Sequence, residues 1–378
     1  MSEQFIELYI HIPFCVRKCL YCDFLSFAAD DVTKEKYVDA LCRELECMGE
    51  ERRDASLSSV FIGGGTPSVL PADHIRRIMD CVRESFCLQS DAEITIECNP
   101  GTVTDEKLRT YRECGINRIS FGLQSIHDDE LKTLGRIHSF GDFLAGYRSA
   151  VNAGFTNINV DLMSGCPGQT EGSWRETLEK VCSLDPAPVH ISAYSLIVED
   201  GTPFGEMYED GDLILPDEDT DRSMYHLTSE ILSHYGYERY EISNYSKKGF
   251  ECRHNKGYWT GTEYFGAGLD AASYLDKKRY VNTSDMDSYL RDPAGVRVLV
   301  ESLGKSDLMG EFMILGLRLT KGVSGSEFTE RFGADIHDIY GKEIARFVKE
   351  GLLEEEGGYI RLTERGLDLA NRVMQAFI

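Results

Sequence analysis

No uninterrupted apolar run in this chain approaches the roughly 20 residues that a membrane-spanning helix requires. A spanning helix is therefore not expected, while peripheral membrane contact stays open. Positive charge is scarce: 40 Lys and Arg stand against 64 Asp and Glu, a net charge of −24. Affinity for nucleic acid rests on neutralising phosphates with Lys and Arg, so no nucleic-acid partner is expected. Ordinary solubility is enough to account for the acidity. The first residues, Met1-Ser2-Glu3-Gln4, lack the basic and apolar segments of a secretory signal, and the expected location is the cytoplasm.

What the chain has is cysteine. Twelve of them without a secretory signal argue for a reducing compartment rather than a disulfide framework. Cys42, Cys47, Cys81, Cys87, Cys98, Cys114 and Cys182 lie in or beside helix- or strand-like segments and read as small core residues. Cys15, Cys19 and Cys22 are different. They stand at C-x3-C-x2-C spacing directly after the apolar run Tyr9-Ile10-His11-Ile12. One short loop at that spacing can offer three thiolates to three irons of a 4Fe–4S cluster and leave the fourth iron open. Zinc would normally take four ligands and close its shell, and three buried free thiols are the plain alternative.

From Ile6 to about Leu196, strand-like runs alternate with amphipathic ones. The strands read as Ile6–Ile12, Ser59–Ile62, Glu93–Cys98, Arg118–Gly122, Asn157–Met163 and His190–Leu196. The helices read as Lys34–Met48, Pro71–Phe86, Asp105–Cys114, Phe140–Ala153 and Glu171–Leu184, with Pro71 at a first helical position, Thr104 as a cap, and Gly115 and Gly154 as stops. Six β/α units in series predict an α/β fold with parallel strands and right-handed crossovers, a partial (β/α)6 barrel. Two more units would be needed to close eight strands. In such folds the active groups collect where strands end. That rule selects the three cysteines, the glycines of Gly63-Gly64-Gly65-Thr66-Pro67, Glu97, Gln124, Asp161 and Ser195. The glycine turn is neither a P-loop nor G-x-G-x-x-G; taken alone it reads as a tight turn or as a close backbone approach to a ligand.

After Leu196 the alternation stops. Val198–Asp219 reads as an acidic connecting loop, Asp221–Tyr235 as a helix, and Glu238–Ile242, Tyr264–Leu269 and Arg279–Asn282 as strands extending the sheet. Between them, His254-Asn255-Lys256-Gly257-Tyr258-Trp259 packs an imidazole, an amide and two aromatics into six residues. Such a set suits a flat conjugated ligand with histidine on its iron, or a buried histidine bonded to its surroundings beside an anchoring aromatic. From Lys305 the chain reads as helices Ser306–Leu317, Gly325–Arg331 and Ile336–Glu350. A hairpin, Gly351–Leu362, and a last helix to Phe377 capped by Thr363 follow, an order like a small winged helix. The expected organisation is 1–200 for the barrel, 201–300 for the sheet extension, and 301–378 for the helical, winged-helix-like unit.

The triad after a first strand, followed by Gly-Gly-Gly-Thr-Pro, resembles the radical S-adenosylmethionine (SAM) superfamily. The wording Tyr9-Ile10-His11-Ile12-Pro13-Phe14-Cys15 and Cys19-Leu20-Tyr21-Cys22-Asp23-Phe24 is similar to the branch holding oxygen-independent coproporphyrinogen III oxidase and the HemW heme chaperones. The resemblance implies a 4Fe–4S cluster on Cys15, Cys19 and Cys22, whose open iron takes the amino and carboxylate groups of SAM. It implies SAM contacts at Tyr9, Gly64, Gly65, Thr66, Glu97, Gln124, Arg136, Asp161, Ser195 and Ala272. It also implies a C-terminal unit covering the substrate side of the barrel. His254-Asn255-x-x-Tyr258-Trp259 resembles the HNxxYW signature of the HemW group and implies heme bound near His254, with Cys252 an alternative ligand. Two departures set the chain apart from the oxidase: Phe24 stands where its fourth cysteine would be, and only eight residues precede Tyr9. They favour a chaperone that binds heme and passes it to an acceptor protein of unknown identity. The alternative is a radical enzyme that abstracts hydrogen from a porphyrinogen propionate.

Overall fold

A computed structural model describes residues 5–53 and 55–378; the opening residues Met1 to Gln4 lie outside the described part. Six strands run parallel and in chain order: β1 (Phe5–Ile12), β2 (Ser56–Gly64), β3 (Cys87–Cys98), β4 (Arg118–Gln124), β5 (Asn157–Ser164) and β6 (His190–Ser195). Parallel neighbours need a crossover, and helices supply it. They are α1 (Asp31–Glu51), α2 (Ala72–Ser85), α3 (Asp105–Glu113), α4 (Asp128–Thr133), α5 (Phe140–Asn152) and α6 (Glu171–Cys182). Local chemistry starts each long one. Asp30 accepts from the Thr33 N–H, Thr104 from Lys107, Ser139 from Asp142 and Thr170 from Ser173. Gly115 and Gly154 follow their helices with φ of 75° and 89°. Pro71 sits one residue earlier than expected, as the cap. The apolar residues of all six strands, from Ile6 to Ile191, share one core with the inner faces of the helices.

The sheet does not stop at the barrel. After α7 (Pro203–Glu209) and α8 (Glu218–His234), β7 (Glu238–Arg239) and β8 (Asn244–Ser246) pair antiparallel beyond β6. Then α9 (Arg253–Thr260) leads to β9 (Tyr264–Ala267), which lies parallel to β1 on the other flank. β10 (Ala272–Leu275), β11 (Lys278–Asn282), α10 (Met286–Arg291) and β12 (Arg297–Ser302) continue that flank, giving twelve strands in one sheet. The C-terminal part holds α11 (Lys305–Gly316), β13 (Val323–Ser324), α12 (Gly325–Phe332), α13 (Ile336–Lys349), β14 (Leu353–Glu356), β15 (Tyr359–Leu362), α14 (Glu364–Asp368) and α15 (Ala370–Met374). Its three strands make a small antiparallel sheet over a separate apolar cluster that runs from Tyr274 to Phe377.

Several expectations are corrected. The acidic stretch Val198–Asp219 is not all loop: Thr202 caps α7, and Phe204 and Leu213 pack with Leu134, Met163 and Cys166 beneath the cysteine loop. Cys47 and Cys87 are exposed rather than core. The last helix is broken at Leu369, whose backbone leaves helical geometry. α4 was not anticipated, because six residues show too little periodicity. β7 and β9 are shorter than expected, β11 begins one residue earlier, and β8, β10 and β12 are additional strands; Gly268, at φ 103°, ends the segment read as running to Leu269.

Candidate functional site

The cysteine loop is tied at its base. The Cys15 N–H donates to Phe27 O and the Phe27 N–H to Pro13 O, so residues 15–27 leave β1 and return to it. Gly65 N–H donates to Ile12 O and Thr66 N–H to Phe14 O, which fastens the glycine turn after β2 to the same place. The glycines there are sterically required. Gly64 has φ 106°, and a Cβ would lie 2.5 Å from the His11 ring; a Cβ on Gly65 would lie 2.9 Å from two backbone oxygens and 3.1 Å from Cys15 Sγ.

Loop and turn face a chamber of about 430 Å³ whose lining includes all three cysteines, Gly64, Gly65, Thr66, Glu97, Gln124, Arg136 and Asp161. A second chamber of about 500 Å³ is lined by Tyr9, Gly64, Glu97, Asp161, His254 and Ala272, among others. Phe24, Gly64, Glu97, Asp161 and Tyr194 line both, so the chambers meet there. Of the residues selected from sequence, Ser195 lines neither; its hydroxyl is 3.3 Å from Ser164 Oγ. Sequence reasoning missed Asn99, Met163, Tyr194, Arg118, Asn159 and Ser192. Asn99, Met163 and Tyr194 sit at or just past the C-terminal ends of β3, β5 and β6, where the strand-end rule could have found them, whereas Arg118 opens β4 and Asn159 and Ser192 lie in the first halves of β5 and β6.

Two buried carboxyls dominate the electrostatics of the site. Burial, reinforced by Asp161, pushes the Glu97 carboxyl up to about 8; the Gly64 N–H donates to it and, with Arg118, pulls the other way. Asp161 is also raised by burial, although Ser120 and Asn159 donate to its two oxygens. Behind it a relay runs Tyr240 to His190 to Asn159, with His190 Nδ1 donating to Asn159 Oδ1 at 2.6 Å. Arg136, expected to meet a carboxylate, points Nη1 at Cys19 Sγ at 3.6 Å and Nη2 at Asn99 Oδ1 at 3.2 Å. Its Nε and the Gln124 Oε1 are buried without a partner among the described residues. Gln124 ends β4 at φ 72°.

These residues fit the groups their pattern implies. Three half-exposed thiols open on one chamber, with a guanidinium beside Cys19 and the Thr66 hydroxyl 3.4 Å from Cys15 Sγ. Among the described residues no three ligating side chains are close enough for a single metal ion; in a cubane cluster each thiolate serves a different iron. The carboxyls and the unpartnered Gln124 and Arg136 atoms suit a ligand with an ammonium, a carboxylate and hydroxyls.

His254 is a different case. It is 1% exposed, and both ring nitrogens are engaged: Nδ1 with Ser59 Oγ at 2.8 Å and Nε2 with Tyr258 OH at 3.0 Å. Cys252 is fully buried, with its thiol directed at Glu93. In this arrangement both nitrogens of His254 are occupied, and the Cys252 sulfur is buried and borders neither chamber.

The radical SAM superfamily model matches residues 9–181, and the HemN C-terminal domain model matches residues 303–369. A protein from Lactococcus lactis named heme chaperone HemW is 36% identical over 379 residues, covering 100% of this chain and 98% of the relative. A Bacillus subtilis protein of the same name is 35% identical, covering 98% of each. Among solved structures, coproporphyrinogen III oxidase (HemN) from Escherichia coli, described as a radical SAM enzyme, superposes with a TM-score of 0.87 at 24% identity. That match covers 99% of this chain and 90% of the oxidase, and at that identity it speaks for the fold.

Proposed function

The chain belongs to the HemW family of the radical SAM superfamily, and from that premise we propose that it binds heme and hands it to an acceptor protein in the cytoplasm. The observation that carries the reading is the pairing of full-length similarity to heme chaperones with Phe24 at the chamber junction, where the oxidase pattern calls for a further cysteine. In this reading Cys15, Cys19 and Cys22 hold a 4Fe–4S cluster, which when bound leaves one iron for the methionyl end of SAM. Gly64, Gly65 and Thr66 bring backbone to SAM, Glu97 and Asp161 accept from its ammonium or hydroxyls, and Arg136 and Gln124 complete the polar wall. Tyr9 and Ala272 border the second chamber, and Ser195 contributes through its backbone. Residues 1–200, 201–300 and 301–378 are the proposed working units.

His254 is the proposed heme ligand, and the geometry states its condition. Nε2 reaches iron only after the Tyr258 hydroxyl gives up its hydrogen bond, a change confined to one turn of α9. The neutral imidazole that ligation needs is already favoured, since burial, helped by Arg118, lowers His254 to about 3. Cys252 is the alternative, and its thiol is held protonated by burial.

The second reading, oxidative decarboxylation of coproporphyrinogen III, is favoured by the shared fold with the oxidase. An anaerobic assay with coproporphyrinogen III, SAM and reductant separates the two. The proposal expects no sustained porphyrinogen decarboxylation by cluster-loaded protein; steady turnover would make the oxidase reading the correct one.

A further inference from the structure

On the outer side of the cysteine loop the chain reverses its own charge. Arg17 and Lys18 lie between the first two cysteines, line the three-cysteine chamber (the outer chamber, the one bearing His254 being the inner) and are exposed, in a chain of net charge −24. Among the described residues neither has an ion-pair or side-chain hydrogen-bond partner. The same loop bares two apolar side chains, Val16 at 56% and Phe24 at 60% exposure. Phe24 and Tyr194 stand where the chambers meet. Inward of them the walls are mixed: Glu97 and Asp161 border both chambers, Asp23 and Asp270 the inner one, with the buried guanidinium of Arg136 on the outer chamber and that of Arg118 on the inner. Bare aromatic surface beside unpartnered cations marks a binding surface for an anionic ligand with apolar faces.

Resting on the heme reading, we infer that the mouth of the outer chamber is a docking site for the macrocycle, with Phe24 and Tyr194 against one face and Arg17 and Lys18 on its two propionates. Charge sets the orientation. Propionates turned inward would meet the carboxyl groups of Glu97 and Asp161 and an Arg136 whose Nη atoms are already held by Cys19 and Asn99; turned outward they meet two cations without such partners. The mouth is the position of uptake and release, and it is separate from His254, which borders the inner chamber alone.

The test titrates cluster-loaded protein with hemin and with hemin dimethyl ester, whose propionates carry no charge. The parent is expected to bind the ester on the order of tenfold more weakly, the scale of one lost charged hydrogen bond. The Arg17→Ala/Lys18→Ala double variant should weaken hemin by a similar factor and no longer distinguish the two ligands. Phe24→Ala should weaken both, and Phe24→Tyr should restore them. Iron content of each variant reports whether the loop still assembles, and the ester comparison on the parent needs no variant at all. Equal affinity of the parent for hemin and ester overturns the inference while leaving the heme reading standing. No hemin binding by the parent overturns the reading beneath it. If the double variant keeps its hemin affinity but its cluster is reduced more slowly by an acidic flavodoxin, the cations serve an electron donor and the inference is overturned.

Discussion

Glu7 and His254 show how far a close approach is from an ion pair. Glu7 Oε2 lies 3.6 Å from His254 Nδ1, and both side chains are buried. Burial, then repulsion from Glu93, raises Glu7 to about 9, and burial lowers His254 to about 3, so both are neutral near pH 7. The sign of the pH effect follows from linkage. Between the ordinary carboxyl value of 4.5 and about 9, the unfolded chain has lost the Glu7 proton and the folded chain has kept it. Stability therefore falls as pH rises through that window, by up to about 1.4 kcal/mol per pH unit. Glu7→Gln keeps shape and removes the proton. Its melting temperature should fall less steeply than the parent's between pH 6 and 8.5; identical slopes would mean Glu7 is ionised in the fold. Such residues are hard to read in sequence. A glutamate in an apolar strand gives no sign that it faces Gly257, whose missing Cβ would lie 2.2 Å from the carboxyl oxygens.

At the scale of elements, β1, the cysteine loop and the turn after β2 behave as one unit. Gly65→Ala would press a methyl against Ile12 O, Phe14 O and Cys15 Sγ. The expected cost is about 1–3 kcal/mol, with lower iron retention after anaerobic reconstitution. Gly141→Ala, on a helix with its nearest neighbour 3.5 Å away, should retain iron as the parent does. Full iron and an unchanged melting temperature in Gly65→Ala would show the loop and turn to be independent. Much of this unit was legible. A run of apolar residues into C-x3-C-x2-C, and strands spaced by helices with Thr104 and Gly154 as punctuation, led directly to the parallel barrel and to the residues at its rim. What was not legible depends on contacts distant in sequence. The strands β8, β10 and β12 are 3, 4 and 6 residues long, and they exist because a sheet edge was there to pair with. Ser195 does end β6 and is exposed there, but its hydroxyl turns to Ser164 rather than into either chamber, a direction that position alone does not give. Cys47 and Cys87 carry no local mark that separates an exposed cysteine from a core one.

For the whole molecule, the twelve-stranded sheet binds the halves of the site together. β9 pairs with β1, so Ala272 and the turn before it stand beside Tyr9 and His11 although they are remote in sequence. Glu44 of α1 holds that turn, accepting from the Gly268 N–H, Asn282 and the Tyr289 hydroxyl. The molecule thus presents one wall of thiols and glycines, one of carboxyls and amides, and an aromatic junction between two chambers. The measurement that bears most directly on the heme-chaperone account is a hemin titration of cluster-loaded protein, followed by mixing with a heme-free b-type acceptor. The account expects a Soret band that saturates at about one heme per chain and then moves to the acceptor. Absence of a saturable Soret band, or heme that no acceptor can withdraw, would contradict it.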